Sequence, residues 1–256
     1  MNQFFIESSA IAGDKVIITG ADVNHITNVL RLRSGEEIQV VCPENGLTYY
    51  CTIDNVDKNA VSCLIGDVQS ESTELPVKII LYQGLPKGDK LELVIQKAVE
   101  LGVTRVVPVS MKRSVMKIDP KKMDKKRERW NAIAASAASQ SKRGIIPEVD
   151  EVIDYKNAIE MARKSDYILL PYELAEGMNE TRRIMEELRS EVVDVADGDR
   201  RTEISIFIGP EGGFDDAEVD LAKSAGAKVI TLGRRILRTE TAPLAILSWL
   251  TYLLDK

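Results

Sequence analysis

The sequence predicts an α/β protein preceded by a small β-rich domain, and three observations carry the prediction. Two strand-like runs flank Asn45-Gly46 within the first seventy residues. Strands and helices alternate from Pro76 onward. Near the end of the chain, two glycine-punctuated loops each follow a β-branched run and each open a helix.

Taken in order, Asp22 to Leu32 reads as a helix, with Val23, Ile26, Val29 and Leu30 on one stripe and His25, Asn28, Arg31 and Arg33 more exposed. Residues 36–42 and 47–53 form a hairpin, because Asn-Gly readily adopts the positive φ angles of a tight turn. Residues 60–65 add a strand. The polar stretch 66–75 reads as a linker, dividing the chain into domains 1–72 and 73–256. In the second domain, residues 77–81 are a strand, and Asp89 to Leu101 is a helix that turns Leu91, Val94, Ile95, Ala98 and Leu101 inward and closes at Gly102. Residues 105–109 are the next strand. A long helix from about Pro120 to Ser141 is basic in its first half and alanine-rich in its second, where it can pack closely. Residues 167–173 are a buried strand running into a loop, and the acidic, aperiodic segment 190–203 reads as a mobile excursion.

The last two strands are 204–208 and 228–232. Between them, Asp215-Asp216-Ala217-Glu218 has capping-box spacing for a helix that stops near Gly226. Carboxyl ends of neighbouring parallel strands share one crevice. The loops after these strands, taken as adjacent, therefore line one pocket: Gly209-Pro210-Glu211-Gly212-Gly213-Phe214 and Leu232-Gly233-Arg234-Arg235-Ile236-Leu237-Arg238-Thr239-Glu240-Thr241-Ala242.

A chain of 256 residues, 44% hydrophobic and 29% charged, fits a soluble globular protein with a sizeable core. No basic start with an apolar run and no bilayer-length apolar stretch is present, which implies a cytoplasmic protein. Cys42, Cys51 and Cys63 lack metal-ligand spacing and read as reduced strand residues, with no metal implied. The net charge of −6 argues against a polyanionic partner, but its distribution reverses the argument. Residues 112–129 hold nine Lys/Arg against three acids, whereas residues 148–203 hold sixteen acids against eight bases. The basic tract is either a solvated helix face or a phosphate-binding footprint.

Several chemistries fail on spacing. Gly84-Leu85-Pro86-Lys87-Gly88-Asp89-Lys90 places Asp89 where a phosphate loop needs its Lys, so it reads as a turn before a helix. The Gly209 loop lacks the dinucleotide spacing, although its glycines allow backbone to approach a flat ligand. His25, the single histidine, has no nucleophile partner in context. Glu211, Glu240 and Arg238 remain as candidates. A loop carboxylate at a strand end can serve as acceptor or base, and an arginine beside a pocket can clamp a phosphate bidentately.

The two loops, spaced by some twenty residues, resemble the signature pair of the RsmE family, bacterial ribosomal RNA (uracil-N3) methyltransferases of the SPOUT class. Agreement extends to Phe4-Phe5-Ile6, His25 to Arg31, Leu85 to Gly102, Arg113-Ser114-Val115, and Gln140-Ser141 with Arg143 before Pro147. Ser139 departs from the family's usual Glu at that place. The resemblance implies a SPOUT-type α/β domain with a C-terminal trefoil knot, a PUA-like β-barrel that holds RNA, and a homodimer. It also implies S-adenosyl-L-methionine bound in the knot loops. The implied reaction is methylation of N3 of a specific uridine, the U1498-type site, in 16S ribosomal RNA of the small ribosomal subunit. A non-catalytic RNA-binding assembly factor that keeps the fold is the alternative. It would bind RNA without the cofactor.

By motif position, the cofactor contacts are Leu170, Gly209, Pro210, Gly212, Gly213, Leu232, Gly233, Ile236, Leu237, Thr241 and Ala242. Arg238 and Glu240 are the catalytic candidates. The candidate RNA contacts are His25, Arg31, Arg33, Arg113, Lys121, Lys122, Lys125, Lys126 and Arg143.

Overall fold

The computed structural model describes residues 1–115, 120–175, 177–194 and 201–255, apart from the side chains of residues 120, 121, 193 and 194. The chain forms two compact units. One comprises Met1–Glu74 together with Ala138–Ile146; the other comprises Leu75–Ala137 and the chain from Pro147 onward.

In the first unit β1 (Asn2–Phe5), β2 (Ile11–Ala12), β3 (Lys15–Thr19), β4 (Glu37–Cys42), β5 (Leu47–Val56) and β6 (Ala60–Gln69) form one sheet in the order β1-β4-β5-β6-β3-β2. All pairings are antiparallel except β1 with β4. The hairpin register closes Cys42 against Leu47, with Gly46 at φ +69° and the Asn45 side chain accepting from the Leu47 N–H. Alternate residues Ile38, Val40, Cys51, Ile53, Val61 and Cys63 face inward with Val16 and Ile18, because a pleated strand points successive side chains to opposite faces. All three cysteines are buried and free. Burial pushes the thiols of Cys51 and Cys63 up to about 11 and about 12.

Two expectations change here. β6 continues to Gln69, so the strand takes the first part of the expected linker. The predicted helix is one α turn, α1 (Ala21–Asn24), which widens into a π turn over His25–Val29. Widening breaks the 3.6-residue period: Ile26 is fully buried, but Val29 is 64% exposed.

The returning segment carries a buried ion pair. Glu74 and Arg143 are both 4% exposed at the side chain, with Arg143 Nη2 on Glu74 Oε2 and Nε 3.1 Å from Oε1. The same Oε1 accepts from Gly144 N–H at 3.0 Å. Gln3 donates to the Arg143 carbonyl at 2.7 Å, and Ser139 Oγ donates to the Gln3 carbonyl.

In the second unit β7 (Lys78–Gly84), α2 (Lys90–Glu100), β8 (Arg105–Ser110), α3 (Pro120–Gln140), β9 (Glu148–Val149), β10 (Ile153–Asp154), α4 (Tyr155–Ala162), β11 (Tyr167–Pro171), α5 (Met178–Asp194), β12 (Glu203–Ile208), α6 (Asp216–Ser224), β13 (Lys228–Ile230) and α7 (Ala242–Leu254) follow one another, α3 ending in the first unit. Every strand pairing is parallel, in the order β10-β8-β7-β12-β11-β13 with β9 also on β8. Helices on a parallel sheet cover both faces, so β7, β11 and β12 are apolar almost throughout.

The strands expected to be adjacent, β12 and β13, are separated by β11. Strand order is a long-range property that local periodicity does not carry. Residues 190–194 are the last turn of α5 rather than an aperiodic excursion, and Glu203 opens β12. Residues 195–200 lie outside the described residues.

Candidate active site

The site is built at the carboxyl ends of β7, β11, β12 and β13. Three segments meet there: Pro171 to Glu173 after β11, residues 209–214 after β12, and residues 231–241 before α7. They enclose a cleft of about 340 Å³ lined by Lys90, Pro171, Glu173, Ile208 to Phe214, Ile236 to Thr239, and Ala242. A smaller recess of about 100 Å³, lined by Thr231 to Leu237, shares Pro171, Glu173, Ile236, Leu237 and Ala242 with it. Although β12 and β13 are not neighbours, their loops share the cleft with the end of the strand between them, through Pro171 and Glu173.

Gln83, fully buried near the end of β7, anchors the loops. Its amide nitrogen donates to the Gly84 carbonyl and to Thr239 Oγ1, each at 3.0 Å, while Thr239 Oγ1 donates to the Gly209 carbonyl at 2.7 Å. One hydroxyl thus joins three segments. A Cβ on Gly84 would lie 2.7 Å from Pro210 N and Cδ and 2.9 Å from Met111 Sδ, so only glycine lets β7 approach the 209–214 loop this closely.

Beyond that loop, Asp215 caps α6 with both capping-box bonds formed. Asp215 also pairs with Lys112 Nζ at 3.0 Å, and Glu218 Oε1 accepts from Lys112 N–H at 2.8 Å. The hydrogen bond and charge of Lys112 hold the Asp215 carboxyl below its ordinary range. Arg113 is thereby laid against the glycine loop, donating to the Gly212 carbonyl at 3.2 Å. A Cβ on Gly212 would meet Arg113 Cβ at 2.9 Å, and one on Gly213 would meet Glu173 Oε1 at 2.8 Å. The bare faces of these glycines make room for protein side chains.

Glu211 and Glu240 converge on one ammonium. Glu211 Oε1 accepts from Lys87 N–H at 3.0 Å and from Lys90 Nζ at 3.1 Å, and Lys90 Nζ lies 3.3 Å from Glu240 Oε2 without hydrogen-bond geometry. Burial pushes the Glu211 carboxyl up, but the backbone N–H groups and Lys90 outweigh it and the net direction is down. The hydrogen bond that Lys90 donates to Glu211 raises the Lys90 ammonium in turn. Arg238, exposed at the cleft edge, pairs with no carboxylate among the described residues.

Of the residues expected to hold a cofactor, Gly209, Pro210, Gly212, Gly213, Ile236, Leu237 and Ala242 line the cleft, and Leu232 and Gly233 line the recess. Leu170 does not: its side chain is fully buried in the core beneath, because β11 is covered on both faces, and Pro171 and Glu173 line the cleft instead. Thr241 is the N-cap of α7, exposed, and outside both linings. Glu240 lies beside Lys90, behind the lining.

The basic candidates divide. Arg31 and Arg33 line an open groove in the first unit with Thr27, Asn28 and Asn55, and His25 is exposed with its ring edge-on to Phe4. Lys122, Lys125 and Lys126 are exposed on α3, and the Lys121 side chain lies outside the described residues. In the same tract Arg127 pairs with Glu151 and Arg129 with Glu92. Arg113 serves the glycine loop. Arg143 departs from that expectation: its side chain is 4% exposed, with the guanidinium held on Glu74.

The comparisons agree with this architecture. A family model described as an RNA methyltransferase domain matches residues 73–251, and one described as an RNA methyltransferase PUA domain matches residues 18–66. Ribosomal RNA small subunit methyltransferase E of Bacillus subtilis is 38% identical, covering 98% of this chain and 96% of its own. The Mesomycoplasma hyopneumoniae protein of the same name is 32% identical over 91% of this chain and 92% of its own. A crystal structure of the Neisseria gonorrhoeae ribosomal RNA small subunit methyltransferase E, bound to S-adenosyl methionine, superposes with a TM-score of 0.78 at 30% identity, covering 99% of this chain and 98% of that one. The chain belongs to the ribosomal RNA small subunit methyltransferase E family.

Proposed function

We propose that the protein transfers a methyl group from S-adenosylmethionine to N3 of one uridine, the U1498-type site, in 16S ribosomal RNA of the small ribosomal subunit. The observation that carries the reading is the cleft where three strand-end segments converge beside Arg238, which pairs with no carboxylate among the described residues. Its size and mixed lining suit a small cofactor. Ile236 and Leu237 offer apolar wall to an adenine, and the glycine loops offer backbone donors and acceptors. S-adenosylmethionine, when bound, supplies a methyl already activated on a sulfonium.

The chain's own groups then have to place uracil N3 in line and remove its proton. Arg238 grips the target nucleotide's phosphate or offsets the charge that grows on the uracil oxygens. Glu240, beside Lys90 rather than paired with that arginine, is the group to relay the proton, a contribution typically worth about 10²–10⁴ in rate. RNA is held by the first unit, a PUA-like barrel whose Arg31 and Arg33 groove supports the assignment. Leu75–Ala137 and the chain from Pro147 onward form the catalytic domain, with the last segment threaded as a trefoil knot.

The protein works in the cytoplasm, in keeping with the absence of a membrane-length apolar helix among the described residues. It acts as a homodimer. α7 supports this: it carries no charged residue and leaves Tyr252 88% exposed. The deciding experiment supplies labelled S-adenosylmethionine and small subunits lacking the modification. Methyl incorporated at uracil N3 is expected, and no transfer to any RNA would defeat the enzymatic reading.

A further inference from the structure

Lys90 stands on the first turn of α2 and reaches out of its own element to two loops. Its Nζ is 3.1 Å from Glu211 in the 209–214 loop and 3.3 Å from Glu240 in the 231–241 loop. All three side chains are sheltered, 32%, 28% and 19% exposed, so water and salt screen them less than a surface ion pair. Glu173 and Glu211 both line the cleft, and Glu240 lies directly behind. Without Lys90 this corner presents three carboxylates beside Arg238, with Arg234 and Arg235 on the adjoining recess.

We propose that Lys90 is a positioning residue for the RNA substrate: its single ammonium, placed between Glu211 and Glu240, offsets the carboxylates that the nucleotide's phosphates would otherwise meet. The proposal rests on the methyltransferase reading of the cleft. Like charges brought together cost affinity for the polyanion while leaving zwitterionic S-adenosylhomocysteine nearly unaffected. The arrangement also separates charge from tethering. Glu211 keeps its Lys87 N–H contact when Lys90 is shortened, and a glutamine at 211 retains that acceptor without the charge.

The test compares wild type, Lys90→Met and the double variant Lys90→Met/Glu211→Gln. Binding of S-adenosylhomocysteine is followed by calorimetry, binding of unmodified small subunits by salt titration, and methyl transfer by single turnover. Lys90→Met is expected to weaken small-subunit binding about tenfold, raising KM more than it lowers kcat, with cofactor affinity within about twofold of wild type. The double variant is expected to regain most of the loss. If cofactor affinity, melting temperature and RNA affinity fall together, or if removing the Glu211 charge restores nothing, Lys90 is a structural strut and the proposal is overturned. A wild type that neither binds S-adenosylhomocysteine nor transfers methyl would instead overturn the reading of the cleft itself.

Discussion

Replacing Arg143 by methionine separates an RNA-contacting role from a structural one. In the structure the guanidinium is sealed against Glu74, both side chains 4% exposed, in a unit of roughly eighty residues. Methionine fills much of the volume but strands the carboxylate. Removing one partner of a buried pair costs about 3–5 kcal/mol. Glu74 keeps the Gly144 N–H, which favours the low end, about 3 kcal/mol. For a unit of this size each kcal/mol lowers Tm by about 4–8 °C, so a fall of about 12 °C or more is expected in the transition that reports the first unit. Replacing both partners by methionine removes the stranded charge and should recover about 2 kcal/mol or more of the loss. Differential scanning calorimetry on the three proteins measures the cost, and RNA binding well below the first transition measures the role. An Arg143→Met protein that melts like wild type yet binds small subunits weakly would refute the buried-pair argument and return Arg143 to the RNA surface.

Other outcomes are expected from the same geometry. Gly212→Ala should push Arg113 aside and cost about 1–3 kcal/mol through overpacking, with cofactor affinity falling because the loop moves; calorimetry and thermal melts on one preparation read both effects. Arg238→Ala should reduce single-turnover rate more than cofactor affinity, and Glu240→Gln should lower the rate as well. Loss of binding in step with rate would make both residues loop supports. Reversing Lys121, Lys122, Lys125 and Lys126 to Glu should weaken RNA binding and flatten its salt dependence by roughly one unit of slope per lost phosphate contact, leaving cofactor binding intact. The depressed Asp215 carboxyl contributes stability that is fully present above the unfolded value of about 3.9 and is lost as pH falls through the lower folded value. Asp215→Asn should therefore destabilise at neutral pH and converge with wild type in acid, as followed by urea unfolding at stepped pH.

The fold was legible where neighbours in sequence decide it. Asp215 and Glu218 are three residues apart, and both of their capping bonds form. The Asn45-Gly46 turn and the strand–helix alternation are equally local. Strand order is not local, which is why β11 was missed between β12 and β13. The site divides along the same line. The glycine loops were visible as motifs, but the residues that hold them find their partners far along the chain: Gln83 and Thr239 are 156 residues apart, and Lys90 and Glu211 are 121 apart. Gln83 left one signal, an amide ending the apolar run Ile79-Ile80-Leu81-Tyr82. Lys90 left none beyond its place at a helix start. Arg143 misled because a motif match and a positive charge say nothing about Glu74, 69 residues earlier, buried against it.

The first unit is split in sequence, and that bears on how the chain is made. Its sheet strands have all been translated by Gln69, and Glu74 soon after, yet residues 138–146 that complete it come later. At roughly 5–20 residues per second, the 72 residues from Glu74 to Ile146 take about 4–14 s to emerge. During that interval Glu74 has no Arg143, and Gln3 has neither the Arg143 carbonyl nor the Ser139 hydroxyl. A nascent chain stalled near residue 100 should therefore be far more protease-sensitive in its first seventy residues than one stalled once residue 146 has cleared the exit tunnel. The first unit is complete only after more than half of the chain has been made, and a gene fragment ending at residue 72 encodes only part of it.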